Sequence, residues 1–293
     1  MRLLAPAKVN LGLRILGCRE DGYHLLESLF VPIDLADRVE IELGDTSAVE
    51  LRIEGELAGV PEDGSNLAVR AAVAFLQAAG IEAGLRLVLE KQIPAAAGLG
   101  GGSSDAAAVL RGLARIYPDA ISPQGLRELA LGLGADIPFF LDPRPALVTG
   151  IGEEIEPIPG IPALSLLLAH PGVALATPDV YRSYDASGAS LTPVRAGSTM
   201  PGVSALRLRE GGDHALAELL ENDLEQAAVR LCPCISKLRE VIEGSGALAV
   251  GMSGSGPTVF GVFRDTIAAS RARDRLNLAL PVRTWLANTR GSR

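Results

Sequence analysis

Short stretches of hydrophobic residues, either alternating with polar ones or continuous over a few positions, predict strands along the chain. Alternation marks residues 7–15, 39–43 and 85–90, and continuous runs mark 164–169, 247–250 and 257–263. Other stretches repeat their apolar residues every three or four positions, which predicts helices. These stretches cover residues 66–79, the segment after 103, and residues 122–133, 214–231, 235–243 and 265–280. The chain therefore mixes strands and helices along its whole length.

Residues with strong capping preferences define the ends of several predicted helices. Ser65 or Asn66 precedes the first helix, and Gly80 follows it. The pair Ser122-Pro123 begins another helix, which Gly134 ends. Its expected buried stripe consists of Leu126, Leu129, Ala130 and Leu133. The last helix is expected to start at a capping aspartate, Asp265.

The segment Pro94–Ser104 joins a predicted strand to a predicted helix and carries glycines at 98, 100, 101 and 102. Ser103, Ser104 or Asp105 is available as the N-cap of that helix. Glycines let a backbone approach a ligand, and free N–H groups at a helix start attract anions, so we expect a polyphosphate here. The segment lacks the Gly-Lys-Ser/Thr of a Walker A motif and the context of a dinucleotide fingerprint. A flexible turn leading into the helix is the alternative.

Two places in the first forty residues carry polar groups that could act in a site. Lys8 and Asn10 lie on one face of the first predicted strand, which could equally be a solvated face. Tyr23 and His24 end the turn formed by Asp-Gly-Tyr-His, and both rings could simply pack.

Two further candidates lie later in the chain. Asp136 stands two residues before a proline, where an aspartate is commonly a cap or a turn acceptor. The glycine-serine turn Gly251–Gly256 joins two predicted strands, as a hairpin connection or as a second backbone approach to phosphate. Between these candidates, residues 142–162 are rich in proline and glycine and give a domain boundary, with domains at 1–155 and 156–293. The stretch Ser187–Gly202 is rich in Ser, Gly and Pro, and we expect it to be mobile.

Composition limits the classes of function. A chain of 293 residues with 48% hydrophobic content can bury a large core. The net charge of −8 argues against nucleic acid or an anionic membrane as the main partner. No run of 18 apolar residues and no signal-like stretch is seen, so we expect a cytoplasmic protein. The three histidines are scattered, so Cys232 and Cys234 are expected to be reduced cysteines, and no metal site is predicted.

Four separated clusters together resemble the signature motifs of the GHMP kinases (galactokinase, homoserine, mevalonate and phosphomevalonate kinases). The clusters are Lys8 with Asn10, Pro94–Ser104, Asp136 and Gly251–Gly256. The stretches PAKVNLGL, DGYHLLESLF, GLGGGSSDAA, GADIPFF, GIGEE and MSGSGPTVFG are most similar to one branch of that family. That branch phosphorylates the 2-hydroxyl of a cytidyl-methylerythritol in non-mevalonate isoprenoid biosynthesis. The resemblance implies an α+β fold of two domains: an N-terminal one like ribosomal protein S5 domain 2 and a ferredoxin-like C-terminal one.

The resemblance also implies roles for individual residues. Lys8 and Asp136 match the catalytic pair, with Asp136 as the general base for the acceptor alcohol and Lys8 keeping it ionised. The ATP-binding loop is matched by Pro94, Ala95, Ala96, Ala97, Gly98, Leu99, Gly100, Gly101, Gly102, Ser103 and Ser104. The residues that match the contacts to the cytidyl substrate are Asn10, Tyr23, His24, Thr177 and Tyr181. The alanines at 95–97 depart from the family pattern, in which a glycine is expected.

The resemblance further implies that the protein uses ATP and Mg²⁺ as cofactors and acts on a small-molecule substrate. It implies no nucleic acid or membrane partner, and a protein that is a monomer or a homodimer. The sequence shows no carboxylate cluster that would form a protein-only magnesium site. Two alternatives remain open: another GHMP kinase of the homoserine or mevalonate type, and a non-catalytic nucleotide-binding protein on the same fold. Tyr23 and His24 favour a substrate with a base, and the presence of Lys8 and Asp136 favours a catalyst.

Overall fold

The computed structural model of the chain describes residues 1–44, 48–55, 59–188 and 213–290. The strands in these ranges are β1 (Arg2–Cys18), β2 (His24–Gly44), β3 (Val49–Gly55), β4 (Gly84–Lys91), β5 (Ala146–Thr149), β6 (Glu154–Pro157), β7 (Ser165–His170), β8 (Ala249–Met252), β9 (Val259–Phe263) and β10 (Arg283–Asn288). The helices are α1 (Leu67–Ala79), α2 (Gly101–Ile116), α3 (Pro123–Leu133), α4 (Ile137–Leu141), α5 (Thr177–Asp185), α6 (Asp213–Leu219), α7 (Glu225–Leu231), α8 (Cys234–Gly244) and α9 (Thr266–Ala279).

The chain divides into two compact units that interleave along the sequence. Unit 1 contains Met1–Ala7, Leu35–Ala95 and Gly100–Pro143, and unit 2 contains Lys8–Asp34, Ala96–Leu99 and Arg144–Arg293. The domain boundary between residues 155 and 156 stays a prediction. Most of the stretch expected to be mobile, residues 189–202, lies outside the described residues. None of the described helices is both long and apolar enough to cross a membrane.

Unit 1 packs helices against a twisted set of strands. The C-terminal part of β2 pairs antiparallel with β4 from Arg38↔Glu90 to Gly44↔Gly84, and β3 pairs parallel with β4. Helix α1 packs on α2, and α2 packs on α4. The side chains that fill the core of unit 1 are apolar and fully buried. Burial of each one stabilises the fold by about 1.5–3 kcal/mol compared with leaving it exposed to water. They include Ile41, Phe75, Leu85, Leu87, Leu89, Val109, Leu113, Phe139 and Phe140.

The ends of α1 confirm the capping prediction. The Asn66 side chain accepts a hydrogen bond from the Ala68 N–H at 2.9 Å. Gly80 closes the helix in the left-handed region with φ of +64°, which glycine adopts without the steric penalty of a Cβ. Helix α3 also starts as predicted, with the Ser122 hydroxyl accepting from the Gly125 N–H. Its predicted buried stripe is only partly correct. Ala130 is fully buried, but the other three residues of the stripe are not.

The start of α2 differs from the prediction of an N-cap at residues 103–105. The helix begins at Gly101, and Gly100 is the N-cap with φ of +72° and no side-chain cap. The Gly100 carbonyl accepts the first helical hydrogen bond from the Ser104 N–H at 2.9 Å. A left-handed backbone conformation at position 100, which glycine adopts without a steric penalty, therefore starts the helix before either serine is reached.

Unit 2 contains an antiparallel sheet of four strands in the order β10-β7-β9-β8. Helices α8 and α9 pack on this sheet, and Asp265 caps α9 by accepting from the Ala268 N–H at 2.8 Å, as predicted. The N-terminal part of β2 pairs with β5, and β5 pairs with β6. The predicted strands at 164–169, 247–250 and 257–263 correspond to β7, β8 and β9 within a few residues.

The helix predicted at 214–231 is wrong in one respect, because it is interrupted between α6 and α7. The interruption pairs with β1 instead: the Leu13 N–H donates to the Glu221 carbonyl at 2.9 Å, and the Asp223 N–H donates to the Leu13 carbonyl at 2.9 Å. These long-range backbone bonds satisfy the groups that a continuous helix would have used internally. The sulfur atoms of Cys232 and Cys234 lie in contact, and the expectation that both are reduced stays a prediction.

Candidate active site

Lys8 and Asn10 of β1 are buried, so the solvated-face alternative does not hold. Their relative exposures are 3% and 2%. The Lys8 ammonium donates to the Asn10 Oδ1 and, at 3.0 Å, to the Gly98 carbonyl oxygen. It also lies 4.8 Å from the centroid of the Phe30 ring. The structure thus brings together Lys8, Asn10 and Gly98, which come from two separate candidate clusters in the sequence.

The turn Gly251–Gly256 meets the same three residues through its backbone and one hydroxyl. The Ser253 hydroxyl donates to the Gly98 carbonyl at 2.8 Å and accepts from the Asn10 N–H at 3.2 Å. A Cβ on Gly254, which has φ of +58°, would lie 3.3 Å from the Lys8 Nζ and 3.2 Å from the Asn10 Oδ1. Position 254 therefore favours glycine, and the turn does more than connect two strands of a hairpin.

Asn222 supports that turn and was missed by the sequence analysis. Its side-chain amide donates to the carbonyls of Met252 at 2.9 Å and Gly254 at 2.8 Å. No local sequence signal marks Asn222, because it stands in the interruption between α6 and α7 that pairing with β1 creates.

The backbone of the glycine loop contains three left-handed residues in close succession. Gly98 and Gly100 have φ of +75° and +72°, and Ala96 has φ of +48°. The conformation costs a residue with a Cβ about 1–2 kcal/mol, so Ala96 holds a position that suits glycine better. This strain lies in the alanine stretch where the sequence departs from the family pattern. A Cβ on Gly98 would overlap the Ser253 carbonyl oxygen, so the loop can pass here only with glycine.

The glycine loop leads into the first turn of α2, whose opening N–H groups have no partner inside the helix. Ser104 is fully buried there, and its hydroxyl oxygen has no hydrogen-bond partner among the described residues. Ser103 is half-buried and Gly102 is exposed. A buried oxygen without a partner beside free N–H groups is the arrangement expected of a polar ligand site.

A second buried charge group, also missed by the sequence analysis, lies in unit 1. The Lys91 ammonium contacts the carboxylates of Asp37 and, at 2.6 Å, Asp105. Burial raises the pKa of the Asp105 carboxyl to about 7; repulsion from Asp37 adds to the rise, and attraction to Lys91 opposes it. Burial alone would lower the pKa of Lys91, but the two carboxylates outweigh that effect and raise it. Lys91 therefore stays charged.

Four of the residues predicted to bind the substrate lie in unit 2 beside Asp185, which the sequence analysis missed, and Ser255 of the predicted turn Gly251–Gly256. His24 Nε2 lies 2.7 Å from the Asp185 Oδ1, and the His24 and Tyr181 rings stack with centroids 4.8 Å apart. Tyr23, next to His24 in the chain, is 60% exposed. The Thr177 hydroxyl is 2.9 Å from the Ser255 hydroxyl, which belongs to the turn Gly251–Gly256. No local pattern singles out Asp185.

Asp136 stands directly before α4 and is half-buried. It occupies the N-cap position, yet its side chain makes no capping hydrogen bond. The simple capping role is therefore not supported. The pairing of Asp136 with Lys8 stays a prediction.

Comparison with known proteins matches both halves of the chain. The family model for the GHMP kinases N terminal domain matches residues 66–142, and the GHMP kinases C terminal model matches residues 203–282. The 4-diphosphocytidyl-2-C-methyl-D-erythritol kinase of Syntrophotalea carbinolica is 40% identical over 274 residues, covering 94% of this chain and 93% of the relative. The enzyme of the same name from Deinococcus radiodurans is 42% identical over 282 residues, covering 94% and 89%.

A solved structure agrees with these relatives. The crystal structure of a 4-(cytidine 5'-diphospho)-2C-methyl-D-erythritol kinase matches with a TM-score of 0.81 and 38% identity, covering 100% of both chains. The chain therefore belongs to the GHMP kinase family. The predicted two-domain α+β fold is confirmed, and so is the prediction of a small-molecule kinase. The chain is about 40% identical, over almost its full length, to kinases that share one name. This similarity favours the cytidyl-methylerythritol branch of the family over the homoserine and mevalonate types.

Proposed function

We propose that this protein transfers a phosphoryl group from ATP to the 2-hydroxyl of 4-diphosphocytidyl-2-C-methyl-D-erythritol, a step of non-mevalonate isoprenoid biosynthesis. The observation that carries the proposal is the buried Lys8 ammonium bonded to the carbonyl of Gly98 in the glycine loop. A buried lysine joined to a loop suited to phosphates fits phosphoryl transfer better than passive nucleotide binding. The relatives near 40% identity supply the particular substrate.

The glycine loop from Pro94 to Ser104 is the proposed site for the ATP phosphates. Its glycines bring backbone N–H groups close to the anion, and the start of α2 adds partial positive charge. Mg²⁺ is expected with ATP and would neutralise charge on the phosphates. Among the described residues there is no group of three His, Cys, Asp or Glu side chains that could hold a metal. The buried Ser104 hydroxyl fits as one oxygen ligand, with phosphates and water supplying the rest.

Asp136 is the proposed general base that takes the proton of the acceptor hydroxyl. An alcohol has a pKa far above 7, so a positioned carboxylate speeds its attack on phosphorus. Lys8 would keep Asp136 ionised and reduce the negative charge near the acceptor oxygen. The phosphoryl group then passes from ATP to the 2-oxygen, and ADP leaves.

The stacked rings of His24 and Tyr181, together with the exposed Tyr23, are the proposed binding site for cytosine. Aromatic faces stack on unpaired bases, and a ring nitrogen can recognise a base edge. A carboxylate only accepts hydrogen bonds, so His24 Nε2 carries the proton that faces Asp185, and in the neutral ring Nδ1 is an acceptor. An acceptor at that position suits the exocyclic amino group of cytosine.

A turnover screen tests the proposal directly. The purified protein is incubated with ATP and Mg²⁺ and one of three alcohols: the cytidyl-methylerythritol, mevalonate or homoserine. Turnover with the first alone is expected. Faster turnover with either of the others would assign the chain to a different GHMP branch, and absence of turnover with intact ATP binding would favour a non-catalytic protein. We further propose that the kinase works in the cytoplasm, where ATP is supplied, as a monomer or homodimer.

A further inference from the structure

The proposed function leaves one buried group of charges in unit 1 without a role. Lys91, at the end of β4, donates to the Asp37 Oδ2 of β2 and, at 2.6 Å, to the Asp105 Oδ2 of α2. The three residues are 5%, 0% and 3% exposed. Burying three charged groups is expensive unless each is paired, so such a group in the interior calls for a reason. These three residues are called the loop-base cluster below.

The loop-base cluster holds the chain on both sides of the glycine loop. The Asp37 Oδ1 accepts from the backbone N–H groups of Gln92, at 2.5 Å, and Ile93, at 2.9 Å. Ile93 directly precedes Pro94, the first residue of the loop. Asp105 directly follows Ser104, the last residue of the loop. One ammonium group therefore connects the residues at which the loop begins and ends.

The packing of Gly101 shows how closely these two ends are joined. A Cβ on Gly101 would lie 2.9 Å from the Ile93 Cγ2 and 3.5 Å from the Lys91 Nζ. The first turn of α2 thus rests directly on the residue before the loop and on the ammonium of the cluster. There is no room for a side chain between them.

We propose that Lys91, Asp37 and Asp105 are positioning residues that fix the two ends of the glycine loop and so set its affinity for ATP. The proposal rests on the proposed binding of ATP by this loop. Holding the ends in place lowers the conformational entropy that the loop must lose when the nucleotide binds. None of the three residues needs to touch ATP for this effect.

The two carboxylates of the cluster differ in a way that allows a matched test. Both oxygens of Asp37 face donors, so an amide at position 37 must point its NH₂ group at a donor. At Asp105 only Oδ2 is used, and Oδ1 has no partner within the described part of the chain. An amide at position 105 can therefore keep the bond to Lys91. Above about pH 7, where the Asp105 carboxyl has lost its proton, Asp37→Asn and Asp105→Asn remove the same charge, but only Asp37→Asn breaks the contacts that hold the loop.

The experiment compares these two variants with Asp34→Asn, an exposed position on the same strand whose carboxylate accepts hydrogen bonds from Asn288. Calorimetry measures the Kd of ATP with Mg²⁺, and kinetics give the KM of the cytidyl substrate. Asp37→Asn is expected to weaken ATP binding by about tenfold or more, since buried donors lose their acceptor. The Kd of ATP should stay within about threefold of the unmodified protein in Asp105→Asn and within about twofold in Asp34→Asn. The KM of the cytidyl substrate should not change in any of the three variants.

Several outcomes would overturn the proposal. Equal effects of Asp37→Asn and Asp105→Asn would mean that the cluster acts only through its charge. Equal weakening of ATP and of the cytidyl substrate would mean a general structural role, and unchanged ATP affinity in folded Asp37→Asn would mean no role. If Asp37→Asn does not fold, Asp105→Ala removes the acceptor for Lys91 and must weaken ATP binding while Asp105→Asn does not. Failure of the unmodified protein to bind ATP would instead refute the proposed function.

Discussion

Two sets of contacts in this protein are built in opposite ways. The loop contacts, formed by Lys8, Asn10 and Ser253 around the Gly98 carbonyl, are buried and bonded to one another. In the ring cluster of His24, Tyr181 and Asp185, the Asp185 side chain is 54% exposed and Tyr181 is half-buried, whereas the His24 side chain is 8% exposed. Removing a buried partner leaves another buried group unpaired, whereas an exposed group regains water. Substitutions in the loop contacts should therefore reduce stability and catalysis together, and those in the ring cluster should reduce substrate affinity alone.

The largest effect is expected from Asp136→Asn, which belongs to neither set and tests chemistry separately from binding. The asparagine keeps the size of the side chain and removes the proposed base. We expect kcat to fall by roughly 10²–10⁴, the usual contribution of a positioned acid–base group. Steady-state kinetics, ATP calorimetry and thermal unfolding of the same preparation measure the effect.

The affinity for ATP and the unfolding temperature should stay near those of the unmodified protein, because asparagine has the same size as aspartate and can still take part in hydrogen bonds. A variant that loses stability but keeps its turnover per folded molecule would refute the role of general base. It would also show that the half-buried position of Asp136 matters only for folding.

A large effect is also expected from Gly98→Ala in the loop contacts. The added methyl group would overlap the Ser253 carbonyl oxygen, and alanine disfavours the φ of +75°. We expect a loss of about 2–4 kcal/mol in the free energy of unfolding, from strain and overpacking combined, and a higher KM for ATP. Chemical denaturation and kinetics together test whether both quantities change. Gly22→Ala is a suitable control, since Gly22 has a similar φ of +85° but nothing within 4 Å of an added Cβ.

The protonation of Asp105 should appear as a pH dependence of stability. Its pKa is raised from 3.8 to about 7, so the folded protein holds a proton there that the unfolded chain has released. The contribution of Asp105 to the free energy of unfolding is therefore fully present below about pH 4 and falls as the pH rises towards 7. Above pH 7 this contribution no longer changes with pH. The slope is at most roughly 1.4 kcal/mol per pH unit. Denaturation curves of the unmodified protein and of Asp105→Asn should diverge over this range, and parallel profiles would contradict the raised pKa.

A smaller effect is expected from Tyr181→Ala in the ring cluster. The stacked partner of His24 is lost, and the KM for the cytidyl substrate should rise by the equivalent of about 1–3 kcal/mol, as for base stacking elsewhere. Tyr181→Phe keeps the ring and should stay close to the unmodified enzyme. Equal weakening of ATP, or equal turnover of a substrate without cytosine, would show that the rings do not bind a base.

Local signals in the sequence were enough to predict much of the fold and part of the site. The capping residues of α1 and α9 were predicted correctly, because a cap bonds to backbone within three residues. The motif clusters containing Lys8, Gly98 and Gly254 were found for a similar reason, since each carries a distinctive local pattern. Their contact was not predictable from spacing, because it joins β1, the loop and the turn after β8 across long separations in sequence.

The features that the sequence analysis missed depend on distant partners. In sequence, Asp37 and Lys91 look like ordinary surface charges and Asp105 looks like a helix cap, and only the burial of all three identifies them as a cluster. The interruption before α7 depends on pairing with Leu13, more than two hundred residues earlier. Gly101 is a related case: its position suggests room for a phosphate, but an added Cβ would meet Ile93, so a substitution there would mainly measure packing.

The smallest effect is expected from Asp185→Ala, which tests how the ring cluster recognises its base. Asp185 accepts from His24 Nε2 at 2.7 Å and so leaves Nδ1 as the acceptor on the other side of the ring. Without the carboxylate, His24 can place its proton on either nitrogen, and part of the population presents a donor to the base. Because Asp185 is exposed, we expect the KM for the cytidyl substrate to rise only about two- to fivefold. The uridyl analogue, with a carbonyl in place of the amino group, should be discriminated less strongly than before. Unchanged discrimination between the two substrates would mean that His24 does not recognise the amino group, and the ring cluster would then act through stacking alone.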